Sequence, residues 1–176
     1  MVLAVPGFIS ILGWITDNWT YGEIVSRTGL WSVQLLIATL AVTPLRRLLG
    51  ATKLTRFLVR RRRDLGVASF GYAALHTGVY LVRKGELQRI VTESQEIWLA
   101  TGWLAFFIFV ILAATSNDAS VRALRHNWKR LHASVYIASA LVIIHWAMSA
   151  FNPTEAYIYV ALLLGLQAAR FVPRRT

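Results

Sequence analysis

The stretch "GYAALHTGVYLV", residues 71–82, places one histidine, His76, within an otherwise apolar run. A run of this composition is typical of a membrane-spanning helix. An ionisable side chain at membrane depth is costly, and it usually faces the interior of a helix bundle and serves a functional site. The stretch therefore predicts a helical membrane protein in which this histidine has a function.

The composition of the whole chain agrees with that prediction. Of the 176 residues, 56% are hydrophobic and only 15% are charged, a balance that points away from a soluble domain. The net charge of +11 is explained by Lys and Arg that set orientation in a membrane, so we expect no nucleic-acid partner. Because the chain has no cysteine, disulfides, thiolate ligands and iron–sulfur clusters are excluded.

Six segments approach the roughly 20 apolar residues that a helix needs to cross a bilayer. They are residues 2–16, 29–45, 64–82, 97–114, 131–150 and 154–172. Pro44 follows the apolar run of the second segment and predicts that this span ends there. No soluble segment or linker is found, so the predicted fold is all-α: a bundle of six transmembrane helices that forms a single domain over residues 1–176.

The basic residues predict the orientation of this bundle. Fifteen of the 19 Lys and Arg lie in the connections 46–63 and 115–130 and in the C-terminal tail. Since Lys and Arg accumulate on the cytoplasmic side, we expect both termini and both basic connections to be cytoplasmic. All eight acidic residues, Asp17 among them, lie at or beyond the ends of the spans, so the sequence offers no buried carboxylate for a proton relay.

Two of the four histidines share a depth in the membrane. Measured from the cytoplasmic ends of their spans, His76 lies about 18 Å deep and His145 about 21 Å deep at the helical rise. Two neutral imidazoles at one depth on neighbouring helices can bind a haem iron from both sides. The alternative is that each histidine only forms a hydrogen bond to a neighbouring helix.

The other two histidines lie nearer the cytoplasmic side. His126 belongs to the basic connection, where we expect it to be solvated. His132 begins span five, and its 13-residue separation from His145 places the two side chains about 140° apart on an ideal helix. Span three has only Arg62 and Arg63 at the matching level. Two roles of His132 therefore stay open: it could bind a second haem, or it could contact an electron donor.

Two glycines of span three predict a packing face. Gly71 and Gly78 lie together, about 140–160° away from His76 around the helix. Small residues allow membrane helices to approach closely, so we expect this face to pack against another span.

Three motifs carry a resemblance to a known family. They are "LLIATLAVTPLRR" at 35–47, "RRRRDLGVASFGYAALHTGVY" at 60–80 and "KRLHASVYIASALVIIHWAMS" at 129–149. Together they resemble the ferric-reductase-like transmembrane family and, more narrowly, the haem-binding membrane subunits of bacterial methionine sulfoxide reductase systems. The likeness extends from about residue 28 to 172 and is weakest before residue 25.

The resemblance implies a function and its cofactors. It implies haem b bound by histidines of spans three and five, which correspond to His76, His132 and His145. It also implies FMN, a periplasmic molybdopterin-containing partner that repairs oxidised methionine, and a location in the bacterial inner membrane. The larger members of the family carry a fourth ligand histidine and a flavin domain, and nothing in these 176 residues matches either, so we do not expect two hexacoordinate haems or direct oxidation of NADPH.

Three functions follow from these patterns. The favoured one is a membrane electron-transfer subunit that takes electrons from quinol or a cytoplasmic flavin donor and delivers them to the periplasmic partner. The second is a self-sufficient haem enzyme that reduces ferric chelates or oxygen at the outer face. The third, a transporter with histidines as proton carriers, is disfavoured because the sequence offers no buried carboxylate and no pair of helices broken by Gly or Pro.

Overall fold

The computed structural model describes residue 3 and residues 5–16, 18–150 and 154–169. Within these residues the chain is all-α and contains no strand, which confirms the predicted fold class. Asp17 and the basic C-terminal tail, both used in the predicted topology, lie outside the described residues. The described helices are α1 (Val5–Ile15), α2 (Tyr21–Leu49), α3 (Lys53–Lys84), α4 (Leu87–Glu93), α5 (Ile97–Ala114), α6 (Asp118–Leu124), α7 (His126–Ala133), α8 (Val135–Ser149) and α9 (Thr154–Ala168).

Four stretches of helix are long and apolar enough to cross a membrane. They are α2, α3, α5 and the consecutive helices α7 and α8, and they contain predicted spans two to five. The first and sixth predicted spans correspond to α1 and α9, which are apolar helices of 11 and 15 residues. Both predicted spans also include residues that the structure does not describe. The chain is thus a multi-pass helical membrane protein, and the count of six spans stays a prediction.

Helix α2 extends beyond the predicted span 29–45 at both ends. It begins eight residues early because Thr20 and Glu23 form a capping box, in which the Thr20 hydroxyl accepts from the Glu23 backbone N–H. The helix itself continues past Pro44 to Leu49, and the end of the membrane span near Pro44 stays a prediction. Pro44 is buried, and proline is tolerated inside membrane helices when neighbouring helices surround it. The helix ends only at Gly50, whose φ of 70° suits a residue without Cβ.

The core is built around α2. Its inner face meets α3, α5, α8 and α9, and the main pairings are α2 with α3 and α5 with α8. The buried cluster at this centre consists of Val33, Leu36, Ile37, Leu40, Phe109, Leu112, Ala138 and Leu163.

A reciprocal pair of hydrogen bonds joins α2 to α3. The Ser32 hydroxyl donates to the carbonyl of Ser69 (3.0 Å), and the Ser69 hydroxyl donates to the carbonyl of Ser32 (2.9 Å). Both serines are buried, and such small polar residues let two membrane helices approach closely. We call this pair the serine clamp. It fixes the distance between α2 and α3 at Ser69, which lies seven residues before His76 on α3.

The two ends of the bundle are marked by different ion pairs. At one end, Arg63 of α3 contacts Asp118 of α6 (2.7 Å), which brings the two basic connections together. This hydrogen bond lowers the pKa of the Asp118 carboxyl below its usual value. At the other end, Lys84 of α3 contacts Glu93 of α4 (2.6 Å). The bundle therefore has a basic end and an opposite end, which we call the outer end.

Candidate functional site

A large cavity lies between the helices towards the outer end. Its volume is about 1450 Å³, and its walls come from α2, α3, α5 and α8. Sites for small molecules and cofactors commonly measure about 300–1,000 Å³, so this cavity has room for a cofactor. His76 and His145 both line it.

His76 is held by the backbone of α2. Its Nδ1 lies 2.9 Å from the carbonyl oxygen of Val25. Because a carbonyl can only accept, Nδ1 must carry the proton, and Nε2 is then the nitrogen with a lone pair. An imidazole in this tautomer can bind a metal through Nε2.

His145 is held in the same way by α5. Its Nδ1 lies 2.7 Å from the carbonyl oxygen of Trp98, so this ring too keeps its lone pair on Nε2. The indole ring of Trp98 also stacks on the imidazole, with centroids 6.1 Å apart. Metal-binding histidines usually donate their second ring N–H to a carbonyl or carboxylate in this manner.

The two rings lie close together in the lining of the same cavity. Their centroids are 6.3 Å apart and their planes lie at 87°. A metal midway between two imidazoles, with bonds of about 2.0–2.1 Å to nitrogen, places the centroids roughly 6.3 Å apart. No cluster of three or more His, Asp or Glu side chains suited to a bare metal ion occurs among the described residues. The pair therefore suits an iron whose other ligands come from a porphyrin.

A glycine lies against each of these imidazoles. A Cβ added at Gly29 would lie 3.1 Å from Nδ1 of His76, and one added at Gly102 would lie 2.8 Å from Nδ1 of His145. The absence of a side chain at these two positions lets each ring reach the neighbouring helix. The site thus provides a cradle that any larger residue would fill.

The glycines singled out from the sequence have no such role. A Cβ at Gly71 or Gly78 would meet no atom within 4 Å. The prediction that their face packs closely against another span is wrong. Close approach to α3 occurs instead on the face that carries Ser69 and His76.

The outer mouth of the cavity is polar. Its lining includes Arg83, Arg89 and the ion pair of Lys84 with Glu93. The hydrogen bond from Lys84 lowers the pKa of the Glu93 carboxyl. Within the cavity wall, the Trp103 indole N–H is buried and has no hydrogen-bond partner among the described residues. The cations at the mouth suit an anionic group such as a carboxylate, and the unpaired N–H of Trp103 leaves one donor free for a polar group within the cavity.

His132 lies apart from the pair. Its Nε2 is 3.0 Å from the Thr115 hydroxyl, and its ring stacks on Trp128 with centroids 3.9 Å apart. The helix is interrupted by a turn at Ser134, so His132 lies at the end of α7 and His145 lies in α8. The structure therefore brings together two of the three predicted site histidines, and a role for His132 stays a prediction.

Four residues that shape this site were not predicted from the sequence. Val25 and Trp98 act through backbone carbonyls, and Gly29 and Gly102 act through the absence of a side chain. The one signal they share is spacing: in each helix the glycine follows, by four positions, the residue whose carbonyl accepts from the histidine.

Comparison with known proteins gives a consistent result. The model of the ferric reductase like transmembrane component family matches residues 28–143, which include His76 and His132 and end just before His145. A curated protein of Xanthomonas campestris pv. campestris (strain B100) is 39% identical over 162 residues, covering 88% of this chain and 72% of that protein. One from Xanthomonas oryzae pv. oryzae (strain MAFF 311018) is 35% identical, covering 96% of this chain and 84% of its own length. One from Brucella ovis is 39% identical, covering 78% and 62%. All three are named protein-methionine-sulfoxide reductase heme-binding subunit MsrQ.

Proposed function

Because the chain belongs to the ferric-reductase-like transmembrane family and, within it, resembles the MsrQ subunits over most of its length, we propose that it is a membrane electron-transfer subunit that binds haem b. The observation that carries this proposal is the pair of imidazoles, His76 and His145, at a centroid separation of 6.3 Å. Their Nδ1 hydrogen bonds to Val25 and Trp98 leave both Nε2 atoms available to one iron.

The residues of the cavity fit a haem. The two imidazoles would provide both axial ligands, and the glycine cradle leaves room for the rings. At the outer mouth, Arg83 and Arg89 would suit the two propionates. When bound, haem supplies a one-electron carrier within the bilayer.

This ligand set favours electron transfer over chemistry on a substrate. An iron with two histidine ligands has no open position for a substrate, so the final reduction would occur on a partner. The relatives are named as subunits of a protein-methionine-sulfoxide reductase. We propose that the partner is a periplasmic, MsrP-like reductase subunit containing molybdopterin, and that quinol or a cytoplasmic flavin reductase donates the electrons.

The orientation follows from the basic end of the bundle. Arg63 and Asp118 hold the two basic connections at that end, and basic connections face the cytoplasm. We propose a bacterial inner-membrane protein with both termini cytoplasmic. The haem site then lies nearer the periplasm, where the partner would collect electrons.

The FMN implied by the resemblance would need a cationic site for its phosphate. A second cavity of about 590 Å³, lined by Arg46, Arg47 and Arg62, lies between the end of α2 and the start of α3. Guanidinium groups match phosphate geometry well. We propose this cavity as the FMN site, and loss of bound flavin from an Arg46→Gln, Arg62→Gln variant of the purified protein would support it.

His132 has a proposed role at electron entry. Stacked on Trp128 at the basic end, it lies on the side from which a cytoplasmic donor would approach. The competing role, as ligand of a second haem, would require its Nε2 to leave the Thr115 hydroxyl.

The experiment that tests the haem assignment compares three histidine variants. His76→Ala and His145→Ala should each lose most of the bound haem, because either change leaves one axial ligand. His126→Ala is the matched control, since this exposed histidine lies outside the cavity. Haem per protein is measured by the pyridine haemochrome method after purification in detergent. A full low-spin spectrum in either of the first two variants would refute the assigned ligands.

The experiment that tests the partner uses the same purified protein. With quinol as donor, the wild type should support reduction of methionine sulfoxide by an MsrP-like subunit, and His145→Ala should not. Reduction of ferric chelates or oxygen at a comparable rate without the partner would favour a self-sufficient haem reductase instead.

A further inference from the structure

The two histidines are held by one repeated backbone pattern. In α2 the carbonyl of Val25 accepts from His76, and Gly29 follows four residues later. In α5 the carbonyl of Trp98 accepts from His145, and Gly102 follows four residues later. In both helices, the glycine that touches the ring is four residues beyond the carbonyl that binds it.

Helix geometry explains why this spacing recurs. In an α-helix the carbonyl of residue i accepts from the N–H of residue i+4. The Cβ of residue i+4 points back towards the helix N-terminus, so it lies beside that carbonyl. A glycine at i+4 removes this Cβ and uncovers the second lone pair of the carbonyl, which an imidazole from another helix can then reach.

We propose that Gly29 and Gly102 are positioning residues that hold each imidazole on its carbonyl and thereby set the orientation of the rings and the reduction potential of the bound iron. The inference rests on the proposed haem function. A hydrogen bond from Nδ1–H to a carbonyl raises the basicity of the ligand. A more basic ligand stabilises ferric over ferrous iron, so these bonds lower the reduction potential.

The two sides of the site are not equally tight. A Cβ at Gly102 would lie 2.8 Å from Nδ1 and 2.9 Å from Cε1 of His145, which are atoms of a ring rather than of a flexible chain end. A Cβ at Gly29 would lie 3.1 Å and 3.3 Å from the same atoms of His76, so a shift of a few tenths of an ångström would relieve it. Alanine should therefore perturb the His145 side more than the His76 side.

The test compares alanine at four glycines. Gly102→Ala and Gly29→Ala each add one methyl group against an imidazole. Gly71→Ala and Gly78→Ala are matched controls, because they lie on α3 with His76 and their Cβ atoms would meet nothing within 4 Å. Each variant is purified with its haem, and three quantities are measured: haem affinity, midpoint potential and the low-spin electron paramagnetic resonance spectrum.

We expect a graded result. Gly102→Ala should weaken haem binding by about 10- to 100-fold, the usual effect of losing a partner of a metal ligand. The haem that it retains should have a more positive potential and an altered low-spin spectrum. Gly29→Ala should shift the potential in the same direction by less, and the two controls should match the wild type. A merely structural role for the glycines would not move the potential.

Three outcomes decide the matter. Wild-type potentials and spectra in both Gly29→Ala and Gly102→Ala would overturn the inference. If Gly102→Ala does not yield folded protein, judged by circular dichroism and gel filtration, Gly29→Ala alone decides, since its contact needs only a small shift. If His76→Ala and His145→Ala keep their haem, the proposed function itself fails; if they lose haem while the glycine variants are unchanged, only this inference fails.

Discussion

Removing the serine clamp should loosen the packing of α2 against α3 and weaken haem binding at the same time. Each hydroxyl donates one buried hydrogen bond to the opposite backbone, at 3.0 Å from Ser32 and 2.9 Å from Ser69. Side-chain hydrogen bonds between membrane helices contribute about 0.6 kcal/mol on average and about 1.7 kcal/mol at most. Alanine leaves no buried group unpaired, because each carbonyl remains within its own helix ladder. We therefore expect Ser32→Ala and Ser69→Ala each to destabilise the fold by about 0.6 kcal/mol, roughly a threefold change in the equilibrium constant.

The assay is reversible unfolding in mixed micelles with increasing SDS, followed by circular dichroism and by haem absorbance. Ser139→Ala is the matched control, since this serine is equally buried but its hydroxyl donates to Val135 within the same helix. The double variant should be less stable than either single variant, by an amount that differs from the simple sum because the two serines are in contact. It should also release haem at lower SDS, because the clamp supports the approach of His76 to α2. A double variant that unfolds and releases haem like Ser139→Ala would refute this reasoning.

Three further predictions concern the two ends of the bundle. His132→Ala should leave the haem bound by the central pair intact and slow its reduction by a donor added from the basic end; lost haem would instead support ligation by His132. Thr115→Val should reproduce part of that slowing, since it removes the hydroxyl 3.0 Å from the His132 Nε2. The hydrogen bond from Lys84 lowers the pKa of Glu93, so the stability it contributes is present above the unfolded carboxyl pKa and is lost as pH falls through the folded one. Unfolding curves of the wild type and Lys84→Met should therefore converge at low pH, and a constant difference at all pH values would contradict this.

Hydropathy and depth were enough to predict the class of the fold and the adjacency of His76 and His145. The long apolar helices follow from segment length, and the adjacency of His76 and His145 follows from counting residues along two helices of the same direction. The continuation of helix α2 past Pro44 to Leu49 could not be predicted, because the rule for proline in isolated helices does not account for the packing of neighbouring helices around it.

The fine geometry of the site could not be predicted from the sequence. Gly71 and Gly78 share one face of α3 and were therefore predicted to pack against another span, yet a Cβ at either position would meet no atom within 4 Å. Gly29 and Gly102 matter only because an imidazole from another helix meets them, and which helices pair is decided by tertiary packing. The carbonyl acceptors have no side-chain signature at all, since every residue carries one.

Electron paramagnetic resonance of the oxidised, haem-loaded wild type tests the central claim most directly. The claim is that His76 and His145 bind one iron with their planes at 87°. Perpendicular imidazoles leave two iron d orbitals nearly equal in energy, which produces a highly anisotropic low-spin signal. The account predicts that signal, and its loss in both His76→Ala and His145→Ala. A high-spin signal in the wild type, or a rhombic low-spin signal typical of parallel rings, would contradict the proposed pair.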